Sequence, residues 1–133
     1  MEIRQQIEDF LSGAPHAVVG ASVDRSKYGN KVLRCYLQHA RPVQVVHPSE
    51  REIEGVTCVA SIAELPEGVH GLSIITPPPV TERVVAAALA QGIRRFWMQP
   101  GAESATAIAA ARAAGASVIA GGPCLLVSLG YRE

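Results

Sequence analysis

The chain has 133 residues, of which 48% are hydrophobic and 18% are charged, so it is too apolar for a disordered protein and too short for a second catalytic domain. Twelve basic residues balance twelve acidic ones, so no excess positive charge favours nucleic acid as a partner. Three widely spaced cysteines without a CxxC pair, no membrane-length apolar run and no basic leader predict a soluble, untargeted cytoplasmic protein with neither a disulfide framework nor a metal site.

A short amphipathic helix is predicted at the amino terminus, where Ile3, Ile7, Phe10 and Leu11 recur at helical spacing. Apolar runs of strand length follow at residues 16–20, 43–47, 71–76, 95–99 and 117–120, and residues 56–59 are a candidate extra strand. Between these runs, apolar spacing predicts helices around 32–37 and 84–89. A capping box predicts a short helix that starts at Ser61, and an alanine-rich segment predicts one over 103–114.

The order of these elements indicates the fold class. The strand cores are continuously apolar, as in strands buried on both faces of a parallel sheet, and helical segments separate most of them. We therefore predict one domain over residues 1–133 with a Rossmann-like, doubly wound α/β fold. Its mainly parallel sheet of five or six strands would lie between two layers of helices.

In an open parallel sheet, ligands bind in the crevice outside the carboxyl ends of the strands. The loops that start there are rich in glycine, proline and small polar residues, and the turns at the opposite end are more ordinary. The five loops begin Gly20-Ala21-Ser22, His47-Pro48, Thr76-Pro77-Pro78-Pro79, Gln99-Pro100-Gly101 and Gly121-Gly122-Pro123-Cys124.

The first of these loops has the composition of a phosphate site. Gly20-Ala21-Ser22 allows a ligand to approach the backbone and offers a hydroxyl and free amides. Arg25 and Lys27 add positive charge, and Gly29-Asn30 opens a helix whose amino terminus favours an anion. The alternative is a plain turn with solvated basic side chains.

The same loop lacks the G-x-G-x-x-G fingerprint of dinucleotide-binding proteins. The second strand ends in His47-Pro48, where NAD-binding proteins carry an acidic residue for the ribose hydroxyls. NAD is therefore disfavoured, and a base with a phosphorylated ribose is easier to accommodate.

Four segments together carry a family resemblance: His16 to Tyr28 with the following Gly29, the strand Val43 to Pro48, Val56 to Leu65, and Phe96-Trp97-Met98-Gln99-Pro100-Gly101. They resemble the small stand-alone CoA-binding proteins, which are similar to the CoA-binding domain of the succinyl-CoA synthetase α subunit and of ADP-forming acyl-CoA synthetases. The resemblance covers roughly residues 10 to 130 and implies coenzyme A as the ligand.

The resemblance also implies roles for residues of the crevice. Gly20, Ala21 and Ser22 would contact the diphosphate, and Lys27 with the Tyr28-Gly29 turn would hold a phosphate. His47-Pro48 would border the adenine, and Thr76-Pro77-Pro78 would line the path of the pantetheine arm.

The chain departs from many stand-alone members at two loops. Thr76-Pro77-Pro78-Pro79 replaces an arginine-containing phenylalanine loop and looks more like the synthetase domains. Gly121-Gly122-Pro123-Cys124 replaces an acidic-arginine-cysteine sequence, which removes two charges near Cys124.

Several candidate residues have two interpretations from sequence. Cys124 is a thiol that could form a mixed disulfide with a thiol ligand or act as a nucleophile, or else a small packing residue. His47 either contacts a base or faces solvent. Gln99 and Gly101 are candidate ligand contacts, although Pro100-Gly101 could simply turn the chain.

The crevice residues include no recognisable acid–base pair, nucleophile–base pair or metal cluster, so no catalytic residue is predicted. The sequence favours a CoA or acyl-CoA binding protein that acts as a carrier, sensor or regulator. The alternatives are an α-type subunit or fragment of an acyl-CoA ligase that needs a partner chain, and a small NAD(P)-dependent oxidoreductase. A structural homo-oligomer formed through the alanine-rich helix is a third alternative.

Overall fold

The computed structural model describes residues 2–133, in which seven strands form one sheet. The strands are β1 (His16–Val19), β2 (Val43–Val46), β3 (Glu52–Ile53), β4 (Val56–Val59), β5 (Gly71–Ile74), β6 (Arg95–Met98) and β7 (Ser117–Ile119). The α-helices are α1 (Ile3–Leu11), α2 (Tyr28–Gln38), α3 (Pro78–Ala90) and α4 (Ala105–Ala113). A 3-10 turn covers Ile62–Glu64, and a π-helical turn covers Leu126–Gly130.

The strands are arranged in the order β3-β4-β2-β1-β5-β6-β7, and all neighbours are parallel except β3 and β4. Strand order reverses at β1, because β2 lies on one side of it and β5 on the other. This reversal is the topological switch point at which doubly wound sheets bind ligands. The predicted fold class is therefore confirmed.

Successive side chains of each strand pack against opposite helical layers. Ala17 and Val19 belong to the core between the sheet and one layer, which contains α3, α4 and the 3-10 turn. Val18 belongs to the core on the other face, with α1, α2 and the carboxyl-terminal turn. Trp97 lies in this second core and is fully buried. The strand sequences are therefore mostly apolar, since both faces of the sheet are covered.

The predicted capping box is present: the Glu64 carboxylate accepts hydrogen bonds from the amides of Ala60 and Ser61, each at 3.0 Å. Two helix starts differ from the sequence-based boundaries. Pro78 and Pro79 form the first turn of α3 and are not loop residues, because proline is tolerated where helical amides have no acceptor. The alanine-rich helix starts at Ala105, where the Ser104 hydroxyl accepts from the Ala107 amide at 3.1 Å.

The sheet has seven strands where five or six were predicted. The additional strand β3 pairs with β4 through a two-residue turn in which Glu54 and Gly55 both have positive φ, 51° and 81°, as tight hairpins require. A strand of only two residues, Glu52 and Ile53, has no apolar run that a sequence pattern detects. The π-helical turn was also not predicted.

Across residues 2–133, none of the helices has the length and apolar character needed to cross a membrane.

Candidate functional site: a crevice at the switch point

Two clefts meet above the carboxyl end of β1. The first, here called the α2 cleft, has a volume of about 500 Å³ and lies between the β1 loop and the start of α2. The second, the α3 cleft, has a volume of about 530 Å³ and lies between the 3-10 turn and α3. Gly20, Ala21 and His47 line both. The two clefts therefore form one crevice across the switch point.

Two glycines allow the backbone segments around the crevice to approach closely. Gly20 has a φ of +104°, and a Cβ atom there would collide with the carbonyl oxygen of Ile75 after β5. A Cβ atom on Gly29, in the first turn of α2, would collide with the carbonyl oxygen of Gly20. The β1 loop is thus held between β5 and α2 at a separation that only glycine permits.

The segment from Ser22 to Lys27 is organised by its own side chains. The Ser22 hydroxyl accepts from the Asp24 amide at 3.1 Å. The Asp24 carboxylate accepts from the amide and hydroxyl of Ser26, at 2.9 and 2.7 Å, and these bonds lower the pKa of Asp24. The Lys27 amide donates to the Asp24 carbonyl at 3.1 Å. These hydrogen bonds within the loop hold its backbone in a defined turn conformation.

A buried asparagine connects the loop to the β3–β4 hairpin. Asn30, which is fully buried, donates to the Ser22 carbonyl at 2.8 Å and to the Glu54 carboxylate at 3.1 Å. Its own carbonyl accepts from Arg34 at 2.7 Å. Arg25 pairs with Glu54 at 2.5 Å and lines neither cleft. The positive charge of Arg25 thus supports the loop and is not directed to the crevice.

The α2 cleft favours an anion. The amides of Ala21, Ser22, Gly29 and Asn30 have no acceptor among residues 2–133. Lys27 lines the cleft and takes part in none of the ion pairs of that part of the chain. Of the described residues around this cleft, none carries a carboxylate. Free amides at a helix amino terminus, together with an unpaired cation, are a typical phosphate-binding arrangement.

His47 stands where the two clefts join. Its Nδ1 accepts hydrogen bonds from the amides of Ser49 at 3.1 Å and Glu50 at 2.9 Å. The neutral ring must then carry its proton on Nε2, which is left as a hydrogen-bond donor. Pro48 continues the wall of the α3 cleft.

The α3 cleft is mostly apolar, with one basic side chain on α3. Val80, Arg83, Val84 and Ala87 line it at intervals of three and four residues, as one helix face does. Thr76 lines it too, and its hydroxyl lies 2.7 Å from the Thr81 hydroxyl. Arg83 was not predicted as a site residue, although its spacing of three residues from Val80 is a signal by which it could have been found.

Tyr28 separates the α2 cleft from a small polar cluster behind it. Its hydroxyl lies 3.0 Å from the Gln99 carbonyl oxygen and 2.6 Å from the Cys124 sulfur. The same Gln99 oxygen accepts from the Leu125 amide at 2.9 Å. Burial raises the pKa of the Tyr28 hydroxyl well above its ordinary value. Gln99 and Cys124 therefore act as partners of Tyr28 and line neither cleft.

The structure separates the predicted site residues into two groups. Nine of them line the joined clefts: Gly20, Ala21, Ser22, Lys27, Tyr28, Gly29, His47, Pro48 and Thr76. Six lie outside the cleft walls: Arg25, Pro77, Pro78, Gln99, Gly101 and Cys124. Pro77 and Pro78 are exposed at the start of α3, and Gly101 donates its amide to the Glu103 carboxylate at 2.8 Å. Glu54 and Arg83 were not predicted, and Asn30 was predicted only as part of the helix start and not as a buried support of the loop.

Known proteins share the fold and part of the sequence. A conserved hypothetical protein from Pyrococcus furiosus is 36% identical, with a TM-score of 0.83 over 87% of this chain and 99% of that chain. A dinucleotide-forming acetyl-coenzyme A synthetase from Ca. Korarchaeum cryptofilum, 22% identical, shares the fold with a TM-score of 0.74 over 85% of this chain and 27% of that one.

A curated relative is an ADP-forming acetate–CoA ligase from Archaeoglobus fulgidus, which is 33% identical over 69 residues, or 52% of this chain. The match spans only 10% of the length of that ligase. Residues 15–130 match the family described as the CoA binding domain. This match extends over nearly all of the chain and agrees with the resemblance seen in its sequence, and the chain therefore belongs to the family of CoA-binding domains.

Proposed function

We propose that this protein binds coenzyme A or an acyl-CoA in the joined α2 and α3 clefts and serves as a carrier, sensor or regulatory protein. The observation that carries the proposal is the meeting of an anion-binding cleft and an apolar cleft at Gly20-Ala21. A nucleotide with a diphosphate and a long uncharged arm needs both surfaces side by side. Each cleft has a volume within the usual range of ligand sites, roughly 300–1,000 Å³.

In the proposed complex, the diphosphate lies against the free amides of Ala21, Ser22 and Gly29, with Lys27 opposite. The adenine lies beside His47-Pro48, where the His47 Nε2 proton supplies a directional contact. The pantetheine arm leaves past Thr76. Arg25, Gln99 and Cys124 support these residues through Glu54 and Tyr28 without contacting the diphosphate.

Binding without turnover is supported by the hydrogen bonds of the lining side chains. His47 Nδ1 is already an acceptor for two backbone amides, so that nitrogen is not free to take a proton from a nucleophile. The Cys124 sulfur is hydrogen-bonded to the Tyr28 hydroxyl, whose raised pKa keeps it protonated, so this hydroxyl cannot act as a base that takes the thiol proton. Neither group has the partner that acyl transfer would need.

Isothermal titration calorimetry with CoA tests the proposal, and the chain provides a matched pair of variants. Its two lysines, Lys27 and Lys31, are one helical turn apart, but only Lys27 lines the α2 cleft, while Lys31 pairs with Glu133 at 2.9 Å. We expect Lys27→Ala to weaken CoA binding about tenfold and Lys31→Ala to leave it within about twofold. Equal losses in both variants would show that only overall charge matters.

A thermal-shift titration gives an independent check. A ligand of the folded state at a hundred times its Kd stabilises the protein by about 2.7 kcal/mol. Absence of saturable stabilisation at millimolar CoA would refute the proposal.

The relationship to the acetate–CoA ligase supports a second candidate about as well: a subunit or fragment of an acyl-CoA ligase that works with a partner chain. The chain matches only 10% of that ligase, so further domains would have to supply the rest of such an enzyme. ATP-dependent acyl-CoA formation by a complex purified from the native host, and not by this chain alone, would establish this candidate.

A further inference from the structure

Two arginines flank His47, one in each of two neighbouring clefts. Arg83 lines the α3 cleft, and Arg51 lines a cleft of about 410 Å³ on the β4 side of His47-Pro48. Both side chains are exposed, and neither takes part in the ion pairs formed within residues 2–133. Either could serve as a cation for a bound ligand, so their surroundings must distinguish them.

Carboxylates distinguish the two clefts. The cleft of Arg51 is also lined by Glu50 and Glu64, which oppose the approach of a dianion. Of the described residues around the α3 cleft, none carries a carboxylate, and Arg83 lies there among apolar side chains of α3 and the 3-10 turn. An anionic group on the ligand is therefore favoured on the Arg83 side.

The chemistry of the proposed ligand places an anionic group close to the junction of the clefts. In CoA, one ribose carries the adenine, the 5′-diphosphate and the 3′-phosphate. With the diphosphate in the α2 cleft and the adenine beside His47, this ribose lies at Gly20-Ala21, where the clefts join. Its 3′-phosphate then borders the α3 cleft. Arg83 is the arginine that lines this cleft.

We propose that Arg83 binds the ribose 3′-phosphate and so makes the crevice selective for 3′-phosphorylated adenine nucleotides. This inference rests on the proposed function. It assigns to α3 a specificity for the 3′-phosphate that the diphosphate contacts of the β1 loop do not supply. The lack of an acidic residue after β2, where His47-Pro48 stands, is consistent with a ribose that carries a phosphate instead of two free hydroxyls.

The experiment measures calorimetric affinities for two pairs of ligands that differ by the 3′-phosphate: CoA with dephospho-CoA, and adenosine 3′,5′-bisphosphate with 5′-AMP. We expect the wild-type protein to prefer the 3′-phosphorylated member of each pair about tenfold. Arg83→Ala should reduce both preferences to about twofold or less, and Arg83→Lys, which keeps the charge but not the paired donors, should retain part of them.

Arg51→Ala is the matched control, since it removes another exposed arginine next to the same histidine. It should leave both preferences unchanged within about twofold. An unchanged preference in Arg83→Ala, or its loss in Arg51→Ala, overturns the inference while CoA binding itself stands. Failure of the wild-type protein to bind CoA overturns the proposed function and this inference with it.

Discussion

Acid should destabilise this protein through His16, a fully buried side chain at the start of β1. Its Nε2 donates to the Phe10 carbonyl at 2.7 Å, and its ring stacks on Phe10 with centroids 4.7 Å apart. Its Nδ1 is buried and has no hydrogen-bond partner among residues 2–133. A proton on Nδ1 would place an unpaired charge in the core, close to His70 and Arg41.

Burial is the main cause that lowers the pKa of His16 from 6.5 to about 4, and the nearby charges of His70 and Arg41 contribute. Above pH 6.5 the ring is neutral in both the folded and unfolded states, so the stability is fully present. As the pH falls from 6.5 to about 4, only the unfolded state gains the proton. The free energy of unfolding then decreases by about 3 kcal/mol, at about 1.4 kcal/mol per pKa unit. Below pH 4 both states are protonated and the effect is complete.

Urea unfolding followed by the fluorescence of Trp97, the single tryptophan, measures this free energy at pH 7, 5.5 and 4. His16→Gln removes the titrating group, and His47→Gln is the control for a half-exposed histidine. We expect the stability advantage of the wild-type protein over His16→Gln to shrink by about 3 kcal/mol between pH 7 and 4. A constant difference between these two proteins at all three pH values would refute the reasoning.

Other substitutions test the construction of the crevice and the state of the cysteines. Gly20→Ala should lower the free energy of unfolding by about 2 kcal/mol more than Gly68→Ala in urea melts, because both glycines have positive φ but only Gly20 lacks room for a Cβ atom. Asn30→Ala should cost about 2 kcal/mol and weaken CoA binding, measured by calorimetry; normal affinity would contradict the role of its hydrogen bonds. Burial raises the pKa of the Cys35 thiol to about 11, so maleimide should label Cys35 only after denaturation. The half-exposed Cys124 should be labelled in the folded protein, and peptide mass spectrometry distinguishes the two sites.

Local patterns in the sequence were sufficient to predict the layers of the fold. Continuous apolar runs such as Ala17-Val18-Val19 predict strands buried on both faces, and Gly20-Ala21-Ser22 after the first strand predicts a turn whose backbone a ligand can approach. Both signals act over a few neighbouring residues, so they are readable without knowledge of the fold. The same holds for Ser61 with Glu64, where both partners of the capping box lie within one turn.

Contacts between distant parts of the chain could not be predicted from such local patterns. Arg25 was expected to face a phosphate, but it pairs with Glu54, 29 residues away, because the short β3–β4 hairpin brings that carboxylate to the loop. Cys124 was expected at the crevice, and it lies behind Tyr28, 96 residues earlier in the chain. A charged side chain can reach many partners, and only the packing of the elements selects one.

By itself, the sequence determined the alternation of strands and helices and the relationship to CoA-binding proteins, because both depend on residue types at short spacing. Only the tertiary structure decided which cations face the crevice. It pairs Arg25 with a carboxylate, places Lys27 in the α2 cleft outside the ion pairs formed within residues 2–133, and places Arg83 at the wall of the α3 cleft. The physical reason is that the effect of a charge depends on its neighbours in space, and the fold brings those neighbours together from distant parts of the chain.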